Sequence, residues 1–537
     1  MRSATLRIGM STCGLAAGAG DVHSALKREI FDRKLPLRLQ RTGCLGACHR
    51  EPLVEVDGDD DSILYGPIVE DRVGALLDHL SGLGDPPPAD WVVSRRADRS
   101  DYPFLGRQVK VTTQLCGVID PHSLDAYLAH GGYEALKQAL ATPPEQVIEA
   151  LKSSRLRGRG GAGFPTGLKW EITRAQGGLP KYIICNADEG DPGAFMDRTL
   201  IEGDPHRVLE GMLIAGRATG ATRAYVYARA EYPLAVAALI EAIEQARELG
   251  AVGANIFGSG MDFDFIIKEG AGAFVCGEET ALMRSIEGYR GMPTMRPPYP
   301  SEHGLWGNST NINNVETYAS VPSILLEGPD WFANMGTENS GGTKAFALAG
   351  AVERSGLVEV PMGMTLGEMV YEIGGGCRES REFKAVQLGG PSGGCIPASL
   401  LDTRIDYEDL KATGAIMGSG GMIVADETTC MVDLAHYFLA FTQDESCGKC
   451  IPCRVGTRKM LDILTAATEG RATALDFQRL EALCETVENT SLCGLGQTAP
   501  NPVRTTIRYF PEEYAAHVED GRCPAGVCPM GGAGEAV

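Results

Sequence analysis

The strongest constraint on this chain is the spacing of four cysteines near its C-terminus. Cys447, Cys450 and Cys453 follow one another at intervals of three residues, and Cys493 comes after thirty-nine further residues. Three thiolates in two short steps can hold one side of an iron–sulfur cube, and a distant fourth thiolate completes it. The spacing therefore predicts a [4Fe–4S] cluster. A zinc ion, which favours separated pairs of ligands, and a set of buried free thiols are the alternatives.

Composition and charge narrow the class of protein further. The 537 residues are enough for three or four domains of ordinary size. The 49 Lys and Arg residues against 70 Asp and Glu residues give a formal net charge of −21, which disfavours nucleic-acid partners. No apolar leader follows Met1 and no apolar run reaches about 18 residues, so we expect a cytoplasmic protein without a membrane span. The 16 cysteines then indicate metal ligands rather than disulfides.

The first 83 residues indicate a small α/β unit. A Gly-Asp-Pro-Pro-Pro segment at 84–88 follows them, and its prolines predict a stiff linker. The predicted elements of this unit are strands at 6–9 and 35–39, a helix at 22–31, and a hairpin of 53–56 with 62–65 around the acidic residues Asp57, Asp59, Asp60 and Asp61.

The sequence pattern changes twice in the rest of the chain. Between 120 and 330, short apolar runs alternate with helical stretches, which is typical of a parallel α/β layer fold. Residues 340–428 predict a small α+β insert with one helix at 366–373. The residues after Met431 are predominantly helical in pattern.

A glycine-rich loop at 156–170 is the first candidate ligand site. Five glycines within ten residues let the backbone turn sharply and approach a ligand closely. Arg157, Arg159 and Lys169 add positive charge to an otherwise acidic chain, and bare amides in such a loop can bind an anion. The loop predicts a cofactor that carries phosphate, with a flexible surface loop as the alternative. It matches neither the dinucleotide fingerprint nor the Walker loop, so the spacing does not identify the cofactor.

Four further segments carry polar or aromatic residues suited to a ligand. Residues 185–193 directly follow an apolar strand, where α/β proteins place binding loops. Residues 270–280 put Phe274 and two carboxylates among small residues, and the segments 296–300 and 311–314 follow. An aromatic ring can stack on a planar cofactor, and asparagines can bind hydroxyls or phosphate. A solvated turn and a packed core turn are the alternatives.

Together these motifs resemble the NADH-binding flavoprotein subunit of respiratory complex I and its relatives, the diaphorase subunits of NAD-linked hydrogenases and formate dehydrogenases. The resemblance covers residues 120–515. Within this family the chain looks most like the β subunits of electron-bifurcating NAD-dependent [FeFe] hydrogenases and related anaerobic complexes. Residues 190–195 (GDPGAF) carry that similarity, as does Phe274, where complex I usually has Tyr. Complex I also usually has Glu where Asp191 stands.

The resemblance implies a multidomain α/β fold. It comprises a thioredoxin-like ferredoxin-type domain, a Rossmann-like FMN- and NADH-binding domain, a β-grasp (ubiquitin-like, SLBB) insert and a C-terminal helical bundle with the [4Fe–4S] cluster. The implied boundaries are 1–83 for the thioredoxin-like domain, 84–120 for a linker, 121–335 for the FMN/NADH domain, 336–428 for the insert, 429–515 for the bundle and 516–537 for a tail.

The resemblance also implies which residues bind the cofactors. Phe164, Phe274 and Tyr299 would position NADH, and the chemistry would belong to the cofactors, so no catalytic residue is expected. The residues implied to bind FMN or NAD(H) are Gly158, Arg159, Gly160, Gly161, Ala162, Gly163, Phe164, Lys169, Asn186, Asp188, Glu189, Asp191, Phe274, Gly277, Glu278, Glu279, Arg296, Tyr299, Ile312, Asn313, Asn314 and Thr317.

A second set of metal-ligating residues lies around and after the helical segment. Cys430, His517, Cys523 and Cys528 are loosely spaced for zinc when taken alone, and a frayed tail is the alternative. The matching positions of the bifurcating β subunits bind zinc, so the resemblance implies a zinc site here.

The N-terminal unit resembles the thioredoxin-like [2Fe–2S] domain of the same families, which uses four cysteines. Cys44 and Cys48 keep the second pair, whereas only Cys13 remains of the first pair, in a shifted register. A [2Fe–2S] cluster needs four ligands. An intact cluster and a docking domain without a cluster both stay open.

The function implied by the resemblance is hydride transfer between NAD(H) and FMN, then single-electron transfer to the [4Fe–4S] cluster, with flavin-based electron bifurcation as a further expectation. The implied partners are a small thioredoxin-like [2Fe–2S] subunit and a catalytic iron–sulfur subunit. The alternatives are a diaphorase subunit of an NAD-dependent formate dehydrogenase, a subunit of an NADH-quinone oxidoreductase, and a non-catalytic electron-transfer or structural subunit.

Overall fold

The computed structural model describes residues 4–58 and 62–530. The predicted acidic loop at Asp59, Asp60 and Asp61 lies outside these residues, as does the end of the predicted tail at 531–537. Within the described residues the chain forms three β-sheets followed by a helical region. The predicted multidomain α/β fold is confirmed at this level.

One inner strand of the first sheet, Ala4–Gly9, has apolar side chains at alternate positions. Leu6 and Ile8 of that strand are fully buried, as the alternation of strand side chains requires. Its elements are β1 (Ala4–Gly9), β2 (Leu37–Thr42), β3 (Val54–Asp57), β4 (Ser62–Tyr65) and the helices α1 (Thr12–Ala16), α2 (Ala19–Asp32) and α3 (Glu70–Leu80). β1 pairs parallel with β2 and antiparallel with β3, and β3 pairs antiparallel with β4.

Part of the segment predicted as a linker is built into the fold. β5 (Val92–Ser94) adds to the edge of the first sheet by pairing antiparallel with β4. The short helix α4 (Pro103–Gly106) follows, and its Phe104 and Leu105 are buried against the third sheet. A strand of three residues is too short to show a period in the sequence, so the prediction missed it.

The second sheet is fully parallel, and it contains the two strands predicted at 182–185 and 224–227 together with two strands that were not predicted. Its strands are β6 (Tyr182–Ala187), β7 (Arg223–Arg229), β8 (Asp264–Gly270) and β9 (Thr310–Asn314), in the order β8-β7-β6-β9. Parallel sheets are buried on both faces by crossover helices. The helices of this unit are α5 (Leu124–Ala129), α6 (Glu134–Ala141), α7 (Pro144–Ser153), α8 (Thr166–Ala175), α9 (Met196–Gly203), α10 (Pro205–Thr219), α11 (Pro233–Glu248), α12 (Glu279–Ile286), α13 (Val315–Glu327) and α14 (Pro329–Asn334).

The third sheet forms the predicted α+β insert. Its strands are β10 (Thr343–Gly350), β11 (Gly356–Pro361), β12 (Phe383–Leu388), β13 (Gly394–Pro397) and β14 (Gly421–Asp426), in the order β11-β10-β14-β12-β13. The predicted helix at 366–373 is present, largely as a π-helical segment over Glu368–Ile373. A second helix, α15 (Tyr407–Thr413), was not predicted.

The last unit is helical, as predicted. Its helices are α16 (Met431–Asp444), α17 (Thr457–Thr468), α18 (Ala474–Thr490), α19 (Gly494–Thr498), α20 (Asn501–Tyr509) and α21 (Pro511–Val518). They pack around one apolar cluster that includes Met460, Leu464 and Val503. Over the described residues, we find no helix that combines the length and the apolar character needed to cross a bilayer.

Candidate functional site

The second sheet has a topological switch point between β6 and β9. From β6 the chain continues through β7 and β8 on one side, whereas β9 pairs with β6 on the other side. Ligands of open α/β sheets bind in the crevice outside the carboxyl ends of such a pair of strands. The crevice is bordered by the residues after β6, which begin with Asp188, and by Asn314 at the end of β9. The predicted polar segments therefore meet at one edge of the sheet.

The glycine-rich loop lies over this edge and fits closely against it. A side chain at Gly160 would come within 3.1 Å of Cβ of Asn314. Gly161 has φ of +115°, and a side chain there would lie 3.1 Å from the carbonyl carbon of Gly418 in the insert. A side chain at Gly163 would collide with the ring of Tyr407, at 2.5 Å. The glycines are thus required by close backbone approach and by a left-handed conformation, and the insert covers the loop.

The cations of the loop all have partners within the chain. Arg157 donates to Glu408 at 2.7 Å and lies over the ring of Tyr407. Arg159 is fully buried, and its guanidinium donates to backbone carbonyls, including that of Gly341 at 2.7 Å. Its own amide donates to Oγ1 of Thr317. Two of the predicted phosphate-binding cations therefore hold the loop in place.

Lys169 links the loop region to the other predicted segments. Its Nζ donates to Oε1 of Glu279 at 2.7 Å and to the carbonyl of Ile312 at 2.9 Å. Glu278 caps the N-terminus of α12, and the guanidinium of Arg296 lies 3.8 Å from Glu278 and 3.6 Å from Glu279. The structure brings together these five residues, which the sequence places in four separate segments.

Asp188 is a buried carboxylate that the protein leaves unsatisfied. It is 8% exposed, and neither oxygen has a hydrogen-bond partner among the residues that the structure describes. Burial raises its pKa to about 7, against the attraction of Arg229. Arg229, at the end of β7, also has one buried nitrogen, Nη1, without an acceptor in the described chain. An orphaned acceptor and an orphaned donor at the crevice fit a polar ligand such as the hydroxyls of a nucleotide.

The neighbours of Asp188 complete one wall of the crevice. The amide of Asn186 donates to the carbonyl of Gly277 at 2.9 Å, which joins β6 to the 270–280 segment. A side chain at Gly190 would lie 2.3 Å from Nη1 of Arg229 and 2.7 Å from the ring of Phe274. Only glycine leaves space for these two groups.

Three other acidic residues of this region have hydrogen-bond partners; Glu189 and Asp197 are buried, and Asp191 is half-buried. Asp191 accepts from Oγ of Ser419 at 2.6 Å, and burial raises its pKa to about 6. Glu189 accepts from the amides of Asp197 and Arg198, so it orients the start of α9. Asn314 donates to Asp197 at 2.5 Å.

Several predicted site residues lie at the margin of the crevice or behind it. The rings of Phe164 and Tyr299 are about half exposed, at 44% and 53%. Asn313 is buried, and its amide donates to Asn311 and Tyr318 inside the central unit.

The four spaced cysteines line a single cavity. Cys447 and Cys450 are half-buried, and Cys453 and Cys493 are buried. No three of these thiols lie within 4.8 Å of one another among the described residues, as ligands of a single ion would. The arrangement therefore fits a multinuclear cluster better than one zinc ion.

The surroundings of this cavity also suit thiolate ligands of a cluster. Burial raises the pKa of the Cys493 thiol to about 11, so the thiolate needs the positive charge that bound iron would supply. Oγ of Ser446 lies 3.3 Å from Sγ of Cys453. Gly448 has φ of +72°, which lets the chain turn between the first two cysteines.

A short turn, Phe274–Gly277, separates the crevice from the cysteine cavity. Phe274 faces Gly190 on the crevice side, and the next residue, Val275, lines the cavity. The amide of Phe274 donates to Glu445, which follows α16, and its ring packs edge-on against Phe441. The helical unit thus holds this turn in place.

The predicted zinc ligands converge at the far end of the helical unit. Cys430, His517, Cys523 and Cys528 each place a ligand atom within 4.8 Å of the others. Nε2 of His517 lies 3.5 Å from Sγ of Cys430 and 3.4 Å from Sγ of Cys528. Nδ1 of His517 lies 2.7 Å from the carbonyl of Glu513. A proton on Nδ1 donated to that carbonyl leaves Nε2 free to bind a metal.

The N-terminal cysteines also converge. The thiols of Cys13, Cys44 and Cys48 lie within 4.8 Å of one another, and those of Cys44 and Cys48 are 3.9 Å apart.

Sequence reasoning missed the residues that reach the crevice from other units. Arg229 ends a parallel strand beside β6, so the rule for carboxyl ends of strands could have found it. Tyr407, Ser419 and Glu445 come from the insert and the helical unit. No local pattern marks them, because their role depends on how the units pack.

Two stretches of the chain match known families. Residues 151–323 match the Nuo51 FMN-binding domain, and residues 433–517 match the NADH-ubiquinone oxidoreductase-F iron-sulfur binding region. The NADH-quinone oxidoreductase F subunit 2 of Rhizobium meliloti (strain 1021) is 45% identical over 408 residues, which are 76% of this chain and 97% of that protein. The chain belongs to the family of NADH-quinone oxidoreductase F subunits.

Other relatives of the chain are named as hydrogenase subunits. NADP-reducing hydrogenase subunit HndC of Solidesulfovibrio fructosivorans is 56% identical over 422 residues, covering 79% of this chain and 86% of that one. The crystal structure of NAD+-reducing [NiFe]-hydrogenase in the H2-reduced state superposes with a TM-score of 0.69 at 31% identity, over 96% of this chain and 84% of that one.

Membership of this family confirms the predicted class of protein. The chain is a flavoprotein subunit of NADH dehydrogenase type, with an FMN-binding domain and a [4Fe–4S] region. The two matched stretches contain the crevice and the four-cysteine cavity, respectively.

Proposed function

We propose that the chain exchanges hydride between NAD(H) and FMN in the crevice at the β6–β9 switch point and passes single electrons to a [4Fe–4S] cluster held by Cys447, Cys450, Cys453 and Cys493. FMN supplies the exchange between two-electron and one-electron chemistry. The observation that carries the proposal is the turn Phe274–Gly277, which borders the crevice on one side and the cysteine cavity on the other. The two cofactors would then be neighbours.

The residues of the crevice bind and orient rather than transfer protons. The glycine-rich loop would lie against FMN, and Asp188 and Arg229 would receive the polar groups that the chain leaves without partners. Phe274 would stack on a planar ring, with Phe164 and Tyr299 at the open side. The remaining cofactor-binding residues predicted from the sequence would contact the two cofactors or support those contacts.

Carboxylates near the crevice favour NAD(H) over its 2′-phosphorylated form. Glu278 and Glu279 lie beside Lys169 and Arg296, and each of those cations already contacts a carboxylate. A site that binds a 2′-phosphate usually offers an unpaired Arg or Lys, whereas a carboxylate accepts from ribose hydroxyls.

The test is the order of reduction in the complete protein. Anaerobic NADH should bleach the flavin band near about 450 nm and then produce a paramagnetic signal from the reduced cluster. Cys450→Ser should lose that signal and most of the cluster iron while NADH still bleaches bound FMN, because the cluster and the flavin loop lie in different segments. Cys377→Ser, which changes a buried cysteine of the insert, is the matched control. Unchanged iron and an unchanged signal in the Cys450→Ser protein would contradict the assignment.

In finer detail, the domains would have the boundaries predicted from the sequence. The first sheet with its helices would be the thioredoxin-like domain and the second the Rossmann-like domain. The third sheet, with its central parallel pair β10 and β14, would be the β-grasp insert. The segment at 84–120 would connect the first two domains, although it also completes the first sheet.

A zinc ion would close the far end of the helical unit. Cys430, His517, Cys523 and Cys528 offer three thiolates and one imidazole, the closed ligand set of a structural zinc site.

The chain would work in the cytoplasm as one subunit of a larger redox complex. All 16 cysteines are unbridged, which fits a reducing compartment. Relatives named as hydrogenase and NADH-quinone oxidoreductase subunits support a complex of several subunits. The partners within it would be a small thioredoxin-like [2Fe–2S] subunit and a catalytic iron–sulfur subunit. If the complex bifurcates electrons, NADH oxidation should depend on the simultaneous presence of a low-potential and a high-potential acceptor. An assay of NADH oxidation with each acceptor alone and with both together tests this.

A further inference from the structure

The N-terminal cysteines do not have the geometry of a binuclear cluster. A [2Fe–2S] cluster takes four ligands, two on each iron, so thiolates on different irons lie farther apart than two thiolates on one metal. Cys13, Cys44 and Cys48 number only three, and all three thiols lie within 4.8 Å of one another. Every pair is therefore close enough to share one ion.

The measured spacing agrees with a tetrahedral thiolate site. Zinc–sulfur bonds of about 2.3 Å place two thiolates on one ion about 3.8 Å apart. Sγ of Cys44 and Sγ of Cys48 are 3.9 Å apart. The amide of Gly46 donates to Sγ of Cys44 at 3.3 Å, a contact that favours a thiolate and orients it.

A fourth ligand position lies beside Glu51. Its Oε1 is 3.9 Å from Sγ of Cys44, while its Oε2 accepts from the amide of Leu53 at 2.8 Å. A small pocket is lined by both Glu51 and Gly9. Among the described residues, the Glu51 carboxylate does not lie within 4.8 Å of all three thiols, so the fourth position suits a water molecule that Glu51 would hold.

We propose that Cys13, Cys44 and Cys48 bind one Zn²⁺ ion, with the fourth position beside Glu51, in place of a [2Fe–2S] cluster. The site stands where the N-terminal sheet meets the FMN-binding domain. Thr12 donates to Glu202 of α9 through its amide at 2.8 Å and its hydroxyl at 2.6 Å, and Cys13 lies beside Arg198 of the same helix. The ion would stabilise this contact between the N-terminal unit and α9, and it would have no part in electron transfer.

The test is metal analysis of the complete protein purified without chelators. We expect about four iron atoms and about four acid-labile sulfides per chain, from the [4Fe–4S] cluster alone. We expect about two zinc ions, one of them in the C-terminal set. In a Cys523→Ala/Cys528→Ala background, about one zinc should remain, and adding Cys48→Ser should remove it.

Controls show whether zinc is lost because the site is removed or because the protein unfolds, and whether the flavin chemistry is affected. Cys377→Ser in the same background should keep the zinc. The Cys48→Ser protein should keep its FMN and its bleaching by NADH, which shows that it is folded. Growth with cobalt should give thiolate-to-cobalt charge-transfer bands that Cys48→Ser removes. About six iron atoms and six labile sulfides, or zinc content unaffected by Cys48→Ser, would overturn the proposal while leaving the flavin chemistry intact.

Discussion

Asp188 has the least favourable environment of the residues that border the crevice. Its folded-state pKa of about 7 lies above the ordinary value of 3.8, mainly because of burial. Between about pH 4 and pH 7, the native state therefore keeps a proton on Asp188 that the unfolded chain has released. The contribution of Asp188 to the free energy of unfolding is fully present below about pH 4 and is lost as the pH rises through 7. Asp188→Asn should raise the Tm of flavin-free protein more at pH 8 than at pH 5.

Thermal unfolding at the two pH values measures this effect. Asp402→Asn, at an exposed position, is the control and should change the Tm equally at both. A Tm gain for Asp188→Asn that does not depend on pH would mean that the carboxylate is not the group responsible.

Gly161 combines a left-handed backbone with contact against the insert. A β-branched residue is strained at φ of +115°, and its Cβ would lie 3.1 Å from the backbone of Gly418. We expect Gly161→Val to release FMN, with affinity weakened about 5- to 150-fold by a strain of about 1–3 kcal/mol. The flavin-to-protein ratio after desalting measures the loss. Gly177→Val is the matched control, since no atom lies within 4 Å of its added Cβ, and full flavin occupancy in folded Gly161→Val protein would assign the loop another role.

Between elements, a buried ion pair joins the insert to the FMN-binding domain. Lys344 of β10 donates to Glu316 of α13 at 2.5 Å, and both side chains are at most 1% exposed. Lys344→Met leaves the Glu316 carboxylate buried without its cation, which costs about 3–5 kcal/mol. We expect a large fall in Tm, most of which Lys344→Met/Glu316→Gln restores. Equal Tm values for the single and double variants would show that lost packing, not charge, is the cause.

The proposed C-terminal zinc site ties the residues after α21 to the start of α16. Without the metal, Cys523 and Cys528 would hold this end through few apolar contacts. Cys523→Ala/Cys528→Ala should therefore speed amide hydrogen exchange in residues 519–530, while exchange in α18 stays slow. Unchanged exchange near Cys523 would indicate that packing alone holds the segment.

The elements that the sequence predicted are those that carry a long periodic signal. The parallel strands appear as apolar runs, such as β6, because helices cover both faces. β5 and α15, of three and seven residues, were missed because elements this short show little periodicity in the sequence. The cluster cysteines could be grouped from their spacing in the sequence. The contact of Ser419 with Asp191 could not be predicted in this way, because it depends on how the insert packs against the FMN-binding domain.

At the scale of the whole molecule, the loop at 43–48 is the junction of three units. A side chain at Gly43 would lie 2.6 Å from Cα of Gly203 in the FMN-binding domain, and one at Gly46 would lie 2.5 Å from the carbonyl of Leu357 in the insert. Gly43→Val should undock the N-terminal unit, so that protease cuts near Phe104 and Leu105, which are buried against the insert in the parent protein, while FMN remains bound.

Limited proteolysis followed by mass spectrometry measures this undocking. Gly20→Ala is the control, because its added Cβ meets only Leu15 at an ordinary 3.7 Å. Resistance of Gly43→Val protein equal to that of the parent would show that the junction adjusts to the side chain.

The long reach of these junction contacts matters for how the chain is made on the ribosome. His49 contacts the carbonyl of Ser355, which is 306 residues further along. At about 5–20 residues per second, translation needs about 15–60 s to cover that interval. During this time the N-terminal sheet can fold, but the surfaces that will cover Cys44 and Cys48 do not yet exist. These thiols therefore meet the metal and redox pools of the cell before assembly covers them.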